Sequence, residues 1–171
     1  MDLGFEVVEL PAGSPPDVGE IAPDFERPLV GVESWYDETL DTLAEDDGVL
    51  LLFHPMIGSF PSTYIWQTID ERRWMDRFEV EPVGIVISTP YDIRRFLDER
   101  SVSARLFSDP GNQVAARYDV EHDLDGMAGI TEPRPAVFLI DSDRQIQYRW
   151  VASEWPALPD YDEIETALES R

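Results

Sequence analysis

Two hydroxyls, Ser59 and Ser62, lie in a segment built to hold an anion. Residues 53–63 read Phe-His-Pro-Met-Ile-Gly-Ser-Phe-Pro-Ser-Thr and follow the apolar run Val49-Leu50-Leu51-Leu52. A strand covered on both faces is expected there, because the run does not alternate. It leads into a loop and then a helix, with Pro61 tolerated in the first turn. The first turn of a helix has unpaired N–H groups and the positive end of the helix dipole. A thiolate or another anion is stabilised at such a place. The chain has no cysteine, so thiol redox chemistry, disulfides and thiolate metal sites are all excluded.

Composition limits the partners. The 171 residues carry 13 basic and 36 acidic side chains, a net charge of −23, and every basic residue is arginine. The acidic residues are spread along the chain, which argues against a disordered acidic tail. Self-repulsion of this size is screened in concentrated salt, where the Debye length falls to about 3 Å. The reading is adaptation to a high-salt cytoplasm, a halophilic setting. Nucleic acid is not an expected partner, since phosphates reward positive charge. The first residues, Met1 to Glu6, lack a basic segment followed by a long apolar one, and no apolar run reaches membrane-spanning length. A cytoplasmic chain without a membrane partner is therefore expected.

The elements that must position the two serines alternate. Strands are expected over 5–10, 49–53, 82–88 and 105–107, and helices over 59–77, 90–99 and 109–117. Asp109 is the expected cap of the last of these, with Pro110 opening it. A hairpin over 136–140 and 145–150 turns at Asp141-Ser142-Asp143-Arg144, and a final amphipathic helix covers 161–170. The order gives an α/β chain, three layers in α/β/α order around a central mixed sheet, as one domain over 1–171.

The spacing Pro55-x-x-x-Ser59-x-x-Ser62 resembles the peroxidatic loop of the peroxiredoxins, with Ser62 where the cysteine stands. Gly19-Glu20-Ile21-Ala22-Pro23-Asp24-Phe25 is similar to that family's opening motif. Phe107-Ser108-Asp109-Pro110, with Val114, Ala115 and Tyr118, looks like its Ser-Asp-Pro helix. Arg134 to Asp141 and Tyr148-Arg149-Trp150 look like its closing strands. The chain thus resembles a cysteine-less peroxiredoxin of the alkyl hydroperoxide reductase and thiol-specific antioxidant type, bacterioferritin-comigratory-like, with a thioredoxin-like fold. The resemblance implies that Ser62 occupies the nucleophile position, Ser59 the hydroxyl role, Arg134 the guanidinium role, and that Pro55 shields the site. Gln67 occupies the resolving-cysteine position. Pro135-Ala136-Val137-Phe138 equally resembles the Pro-x-Thr-Phe strand of thioredoxin-like oxidoreductases, which implies a cis bond before Pro135.

Each residue also has a plainer reading. Ser62 could be a first-turn serine whose hydroxyl satisfies backbone N–H groups. A serine nucleophile finds no Gly-x-Ser-x-Gly elbow or assigned base. His54 reads as a packing residue more readily than as a base. Glu121-x-Asp123-x-Asp125-Gly126 with Glu132 partly matches a calcium loop, but a strand follows where a helix is required, so a solvated acidic loop is expected and no metal. Arg72-Arg73 and Arg94-Arg95 should pair with nearby carboxylates. Tyr148, Trp150 and Trp155 suit a core or a homodimer face.

These readings converge on a peroxiredoxin-like redoxin domain without thiol peroxidase activity, kept as a binding or regulatory module for a small oxyanion or peroxide-like ligand. No cofactor is expected. The alternative is a thiol-dependent peroxidase whose encoded cysteine has been exchanged for Ser62.

Overall fold

The computed structural model describes residues 6–123 and 126–171. Strand β4 (Val49–Phe53) is its axis. All five side chains are buried, and they alternate between two cores: Val49, Leu51 and Phe53 face one, Leu50 and Leu52 the other. Burying five apolar side chains contributes on the order of 10 kcal/mol before the ordering entropy is subtracted. The neighbours of β4 follow from this. It pairs in parallel with β5 (Glu81–Val86) and antiparallel with β9 (Ala136–Ile140). Outward from these lie β6 (Arg105–Ser108), β2 (Glu26–Val30) and β3 (Trp35–Thr39) on one side and β10 (Ile146–Val151) on the other, giving the sheet order β10-β9-β4-β5-β6-β2-β3.

Helices cover both faces. Helices α1 (Leu40–Ala44) and α5 (Gln113–Arg117) pack on the first core. Helices α2 (Phe60–Glu71), α3 (Trp74–Arg77), α4 (Pro90–Arg100) and α6 (Tyr161–Glu169) pack on the second. The expected three layers around a mixed sheet are therefore present. Caps hold the helix starts: the Thr89 hydroxyl accepts from Asp92 N, and Asp160 Oδ1 accepts from Asp162 N and Glu163 N. Two short ladders complete the chain, β1 (Val8–Glu9) with β11 (Glu154–Trp155) and β7 (Glu121–His122) with β8 (Glu132–Pro133).

Several expectations need correction. The helix expected over 59–77 is two helices. Arg73 adopts a left-handed backbone (φ 57°), ending α2 and restarting the chain as α3. Ile65 and Ile69 would be continued on the same face by residues 72–73, which are arginines. The left-handed residue resets the phase so that Trp74 enters the second core, where its Nε1 donates to Glu165 at 2.7 Å. Helix α5 begins at Gln113, not at Asp109. The Asp109 carboxylate instead accepts from Val114 N at 2.8 Å and from Arg27 Nε at 2.9 Å. The hairpin turn lacks glycine because Arg144 takes the left-handed position (φ 60°), while Asp141 Oδ1 accepts from Asp143 N and Gln145 N.

The β2–β3 hairpin and α1 were not expected. Pro28 and the charges in Glu26-Arg27 and Asp37-Glu38 disguise an edge hairpin. Only Leu29 and Val30 of β2 also bond β6, so Pro28 lies where a second ladder partner is not required. The expected strand over 5–10 is reduced to Val8–Glu9 within the described residues. Arg72 pairs with Asp162 and Arg73 with Asp76, but among the described residues Arg94 is not paired with a carboxylate. It donates to Val32 O and lies over the Trp35 ring at 5.6 Å. No helix among the described residues is long and apolar enough to cross a membrane.

Candidate active site

Ser59 and Ser62 sit where the sequence puts them. Ser59 is the residue before α2, with extended backbone (φ −67°, ψ 155°), and its side chain makes no capping hydrogen bond. Ser62 lies in the first turn and is fully buried. Pro61 between them has no N–H to satisfy, so this turn begins with fewer donors than most. Both hydroxyl oxygens are buried and neither has a hydrogen-bond partner among the described residues. That overturns the plainer reading of Ser62, in which its hydroxyl satisfies backbone N–H groups. An unpaired buried hydroxyl costs about 1–3 kcal/mol.

Arg134 lies two residues before the neighbouring strand β9. The β4–β9 ladder runs from Val49↔Ile140 to Phe53↔Ala136, so residues 54–62 and residues 134–135 leave the sheet at the same end. Arg134 is 6% exposed; its Nη1 donates to Ala152 O at 3.4 Å, while its Nε has no partner among the described residues. Burial lowers its pKa below the ordinary guanidinium value, and the negative field of Asp119 opposes that effect. A guanidinium remains charged regardless. No hydrogen bond joins it to either serine among the described residues. The cis bond expected before Pro135 lies instead between Trp155 and Pro156.

His54 is fixed and neutral. Trp66 Nε1 can only donate, and it donates to His54 Nε2 at 2.9 Å, so the ring proton is on Nδ1, which donates to Pro55 O at 3.0 Å. Burial pushes the imidazole down to about 4, and the Pro55 bond only partly offsets this. Both nitrogens are committed, so the packing reading of His54 holds and a free base is not available. Pro55 is itself buried, its carbonyl held by that ring. Trp66 escaped the sequence reading. Nothing in the sequence pairs it with His54, twelve residues earlier.

The remaining motifs are structural. Tyr118 Oη donates to Pro23 O at 2.8 Å and Arg117 Nη1 to Asp24 O at 3.1 Å, tying the 19–25 segment to α5. Ser108 Oγ donates to Ser88 O at 2.7 Å. Of the acidic loop, His122 and Glu132 face each other in the β7–β8 ladder, and Asp125 lies outside the described residues. No group of three His, Asp or Glu side chains suited to a metal ion occurs among the described residues. Tyr148 and Trp150 pack against the second core.

A helix start carrying two buried hydroxyls without partners among the described residues, at the sheet end where Arg134 also lies, is what comparison with known proteins bears on. The model of the AhpC/TSA family matches residues 18–149. The chain belongs to the AhpC/TSA family. Solved structures of family type share its fold. Peroxidoxin BcpB from Mycobacterium tuberculosis aligns over 90% of this chain and 94% of its own, at 23% identity and a TM-score of 0.72. The reduced 2-Cys peroxiredoxin of Plasmodium vivax covers 91% and 81%, at 21% identity and a TM-score of 0.74. A thiol peroxidase from Chromobacterium violaceum covers 98% and 93%, at 20% identity and a TM-score of 0.73. Among curated proteins none matches. This AhpC/TSA chain is thus a peroxiredoxin-type redoxin domain with a thioredoxin-like fold and no cysteine.

Proposed function

We propose that the chain no longer performs thiol peroxidase chemistry and that it retains the pocket at the start of α2 to bind a small oxyanion or peroxide-like ligand. Peroxide reduction in this family type needs a sulfur that accepts oxygen and is then reduced. A serine hydroxyl in that place is barely ionised near neutral pH and has no comparable oxidation ladder. The observation that supports a retained pocket is the set of buried atoms without a partner among the described residues: Ser59 Oγ, Ser62 Oγ and Arg134 Nε. Natural proteins leave few such atoms unsatisfied, and a bound ligand explains all three together.

In this reading each residue keeps a role without the nucleophile. Ser59 and Ser62 donate their hydroxyl protons to ligand oxygens, and the first-turn N–H groups add positive potential. Arg134 offers a planar guanidinium, which suits a carboxylate-like pair of oxygens. Pro55 closes one wall and excludes water. The protein acts as one domain over 1–171, in a salt-rich cytoplasm suited to its charge, as a binding or regulatory module and as a homodimer. It works without a cofactor and without nucleic acid or membrane partners.

Two measurements test the proposal. Hydrogen peroxide consumption with dithiothreitol should equal the protein-free rate; turnover would refute the loss of activity. Formate, a small planar oxyanion, should bind wild type and bind Arg134→Gln at least about tenfold more weakly. Equal affinity would remove Arg134 from the site. Reading codon 62 in the native gene decides the alternative of an exchanged cysteine.

A further inference from the structure

Arg134 is buried in the link between β8 and β9, outside either strand. Its backbone N–H donates to Val120 O at 2.8 Å, and its side chain reaches Ala152 O. Ala152 N returns a bond to Pro135 O at 2.9 Å. Two tethers, one at residue 120 and one at residue 152, therefore fix where the guanidinium stands.

Both tethers are clamped by the same stretch of chain. Leu10 N donates to Ser153 O at 2.9 Å, one residue beyond Ala152, and β1 pairs Glu9 with Glu154. On the other side Ser14 N donates to Asp119 Oδ2, one residue before Val120. Gly13 packs so closely there that a Cβ on it would stand 2.8 Å from Asp119 O. Asp119 has a left-handed backbone (φ 53°), the corner from which residue 120 turns toward Arg134. Leu10 is the buried anchor of the segment, 8% exposed, while residues 11–14 are exposed. Residues 8–14 thus run over the surface and touch the fold next to each of Arg134's supports.

We propose that residues 8–14 form a strap that positions Arg134, with Gly13 and Asp119 as its clasp. When the strap is seated, residues 119–120 and 152–153 are held at a fixed separation and the guanidinium has one placement. When it lifts, both supports lose a neighbour at once and Arg134 gains freedom. The strap has few buried contacts apart from Leu10, so it belongs to the part of the molecule that opens at low cost. Arg134 is the residue acted on; Gly13 and Asp119 are positioning residues and touch no ligand. The ligand arm of the test below rests on the oxyanion reading of the site, and the other arms do not.

The test uses the full chain with Gly13→Ala, whose added Cβ collides with the backbone at Asp119, and Asp119→Asn, which tolerates a left-handed backbone but removes the charge. Amide hydrogen exchange is read for residues 8–14 and for β4, and the Arg134 Nε–H signal is followed by NMR. In Gly13→Ala, exchange of residues 8–14 should rise at least about tenfold with β4 unchanged. The Arg134 Nε–H signal should shift or broaden, and formate should bind several-fold more weakly. Asp119→Asn keeps an acceptor for Ser14 N and removes the charge that acts on Arg134 directly, so it is the control for that charge and should leave exchange of residues 8–14 unchanged. If Gly13→Ala leaves the strap seated, Leu10→Asp releases it, and the same Arg134 readout decides. A released strap with an unchanged Arg134 signal overturns the proposal. Wild type that fails to bind formate refutes the oxyanion reading, while the exchange and Arg134 signals still decide the strap.

Discussion

Acidification should destabilise this protein through one buried ring. His54 is fully buried and neutral, bonded to Trp66 Nε1 and Pro55 O, with its pKa pushed from 6.5 down to about 4. In the unfolded chain it returns to about 6.5. Between those values the unfolded state binds the proton and the folded state does not, so stability falls as pH falls. The contribution is fully present above about pH 6.5 and lost by about pH 4. At roughly 1.4 kcal/mol per pH unit the total is about 3 kcal/mol. The chain's carboxylates titrate over part of the same range, so a reference variant is needed. His54→Gln can accept from Trp66 and donate to Pro55 O without acquiring charge. Urea unfolding at fixed high salt, followed by tryptophan fluorescence at several pH values, should show wild type losing about 3 kcal/mol more than His54→Gln between pH 6.5 and 4. Parallel curves would refute both the neutral tautomer and its burial as the cause.

Three other outcomes are expected. Gly84→Ala places a Cβ 2.7 Å from Trp66 Cζ2, 2.8 Å from Leu106 Cγ and 3.1 Å from His54 Nε2, inside packed core; it should cost about 1–3 kcal/mol in urea unfolding, and a neutral result would mean that the second core is looser than described. Asp109→Ala removes the acceptor for Val114 N and the partner of Arg27, whose side chain is 21% exposed; thermal unfolding should show a loss of about 3 kcal/mol. Ser62→Cys should give a thiol with a pKa well below about 8.5, read from the pH dependence of alkylation, because the helix start and Arg134 favour the thiolate; an ordinary value would show that the pocket no longer favours an anion.

Much of the fold was legible because core strands announce themselves. Val49–Phe53 is an uninterrupted apolar run, as suits a strand buried on both faces, so its bounds could be read directly. Ser59 and Ser62 followed, since a proline two residues into a helix marks the first turn. The edges were less readable. Glu26–Val30 and Trp35–Thr39 carry charges and a proline because only part of each strand meets the core, and such a pattern resembles a loop. The break at Arg73 leaves one trace in the sequence, the arginines 72–73 that interrupt the apolar face of Ile65 and Ile69.

What the sequence determined by itself is chemical. It contains no thiol, it puts hydroxyls at the opening turn of a helix, and it carries a net charge of −23. Those facts depend on which atoms are present, and no folding can alter them. The tertiary structure decided which polar atoms go unanswered. That Trp66 occupies His54, that Ser62 Oγ is left without a partner among the described residues, and that residues 8–14 reach both supports of Arg134 all depend on long-range contacts. Hydrogen bonds between distant segments are set by how layers pack, and residue spacing along the chain carries no record of that packing.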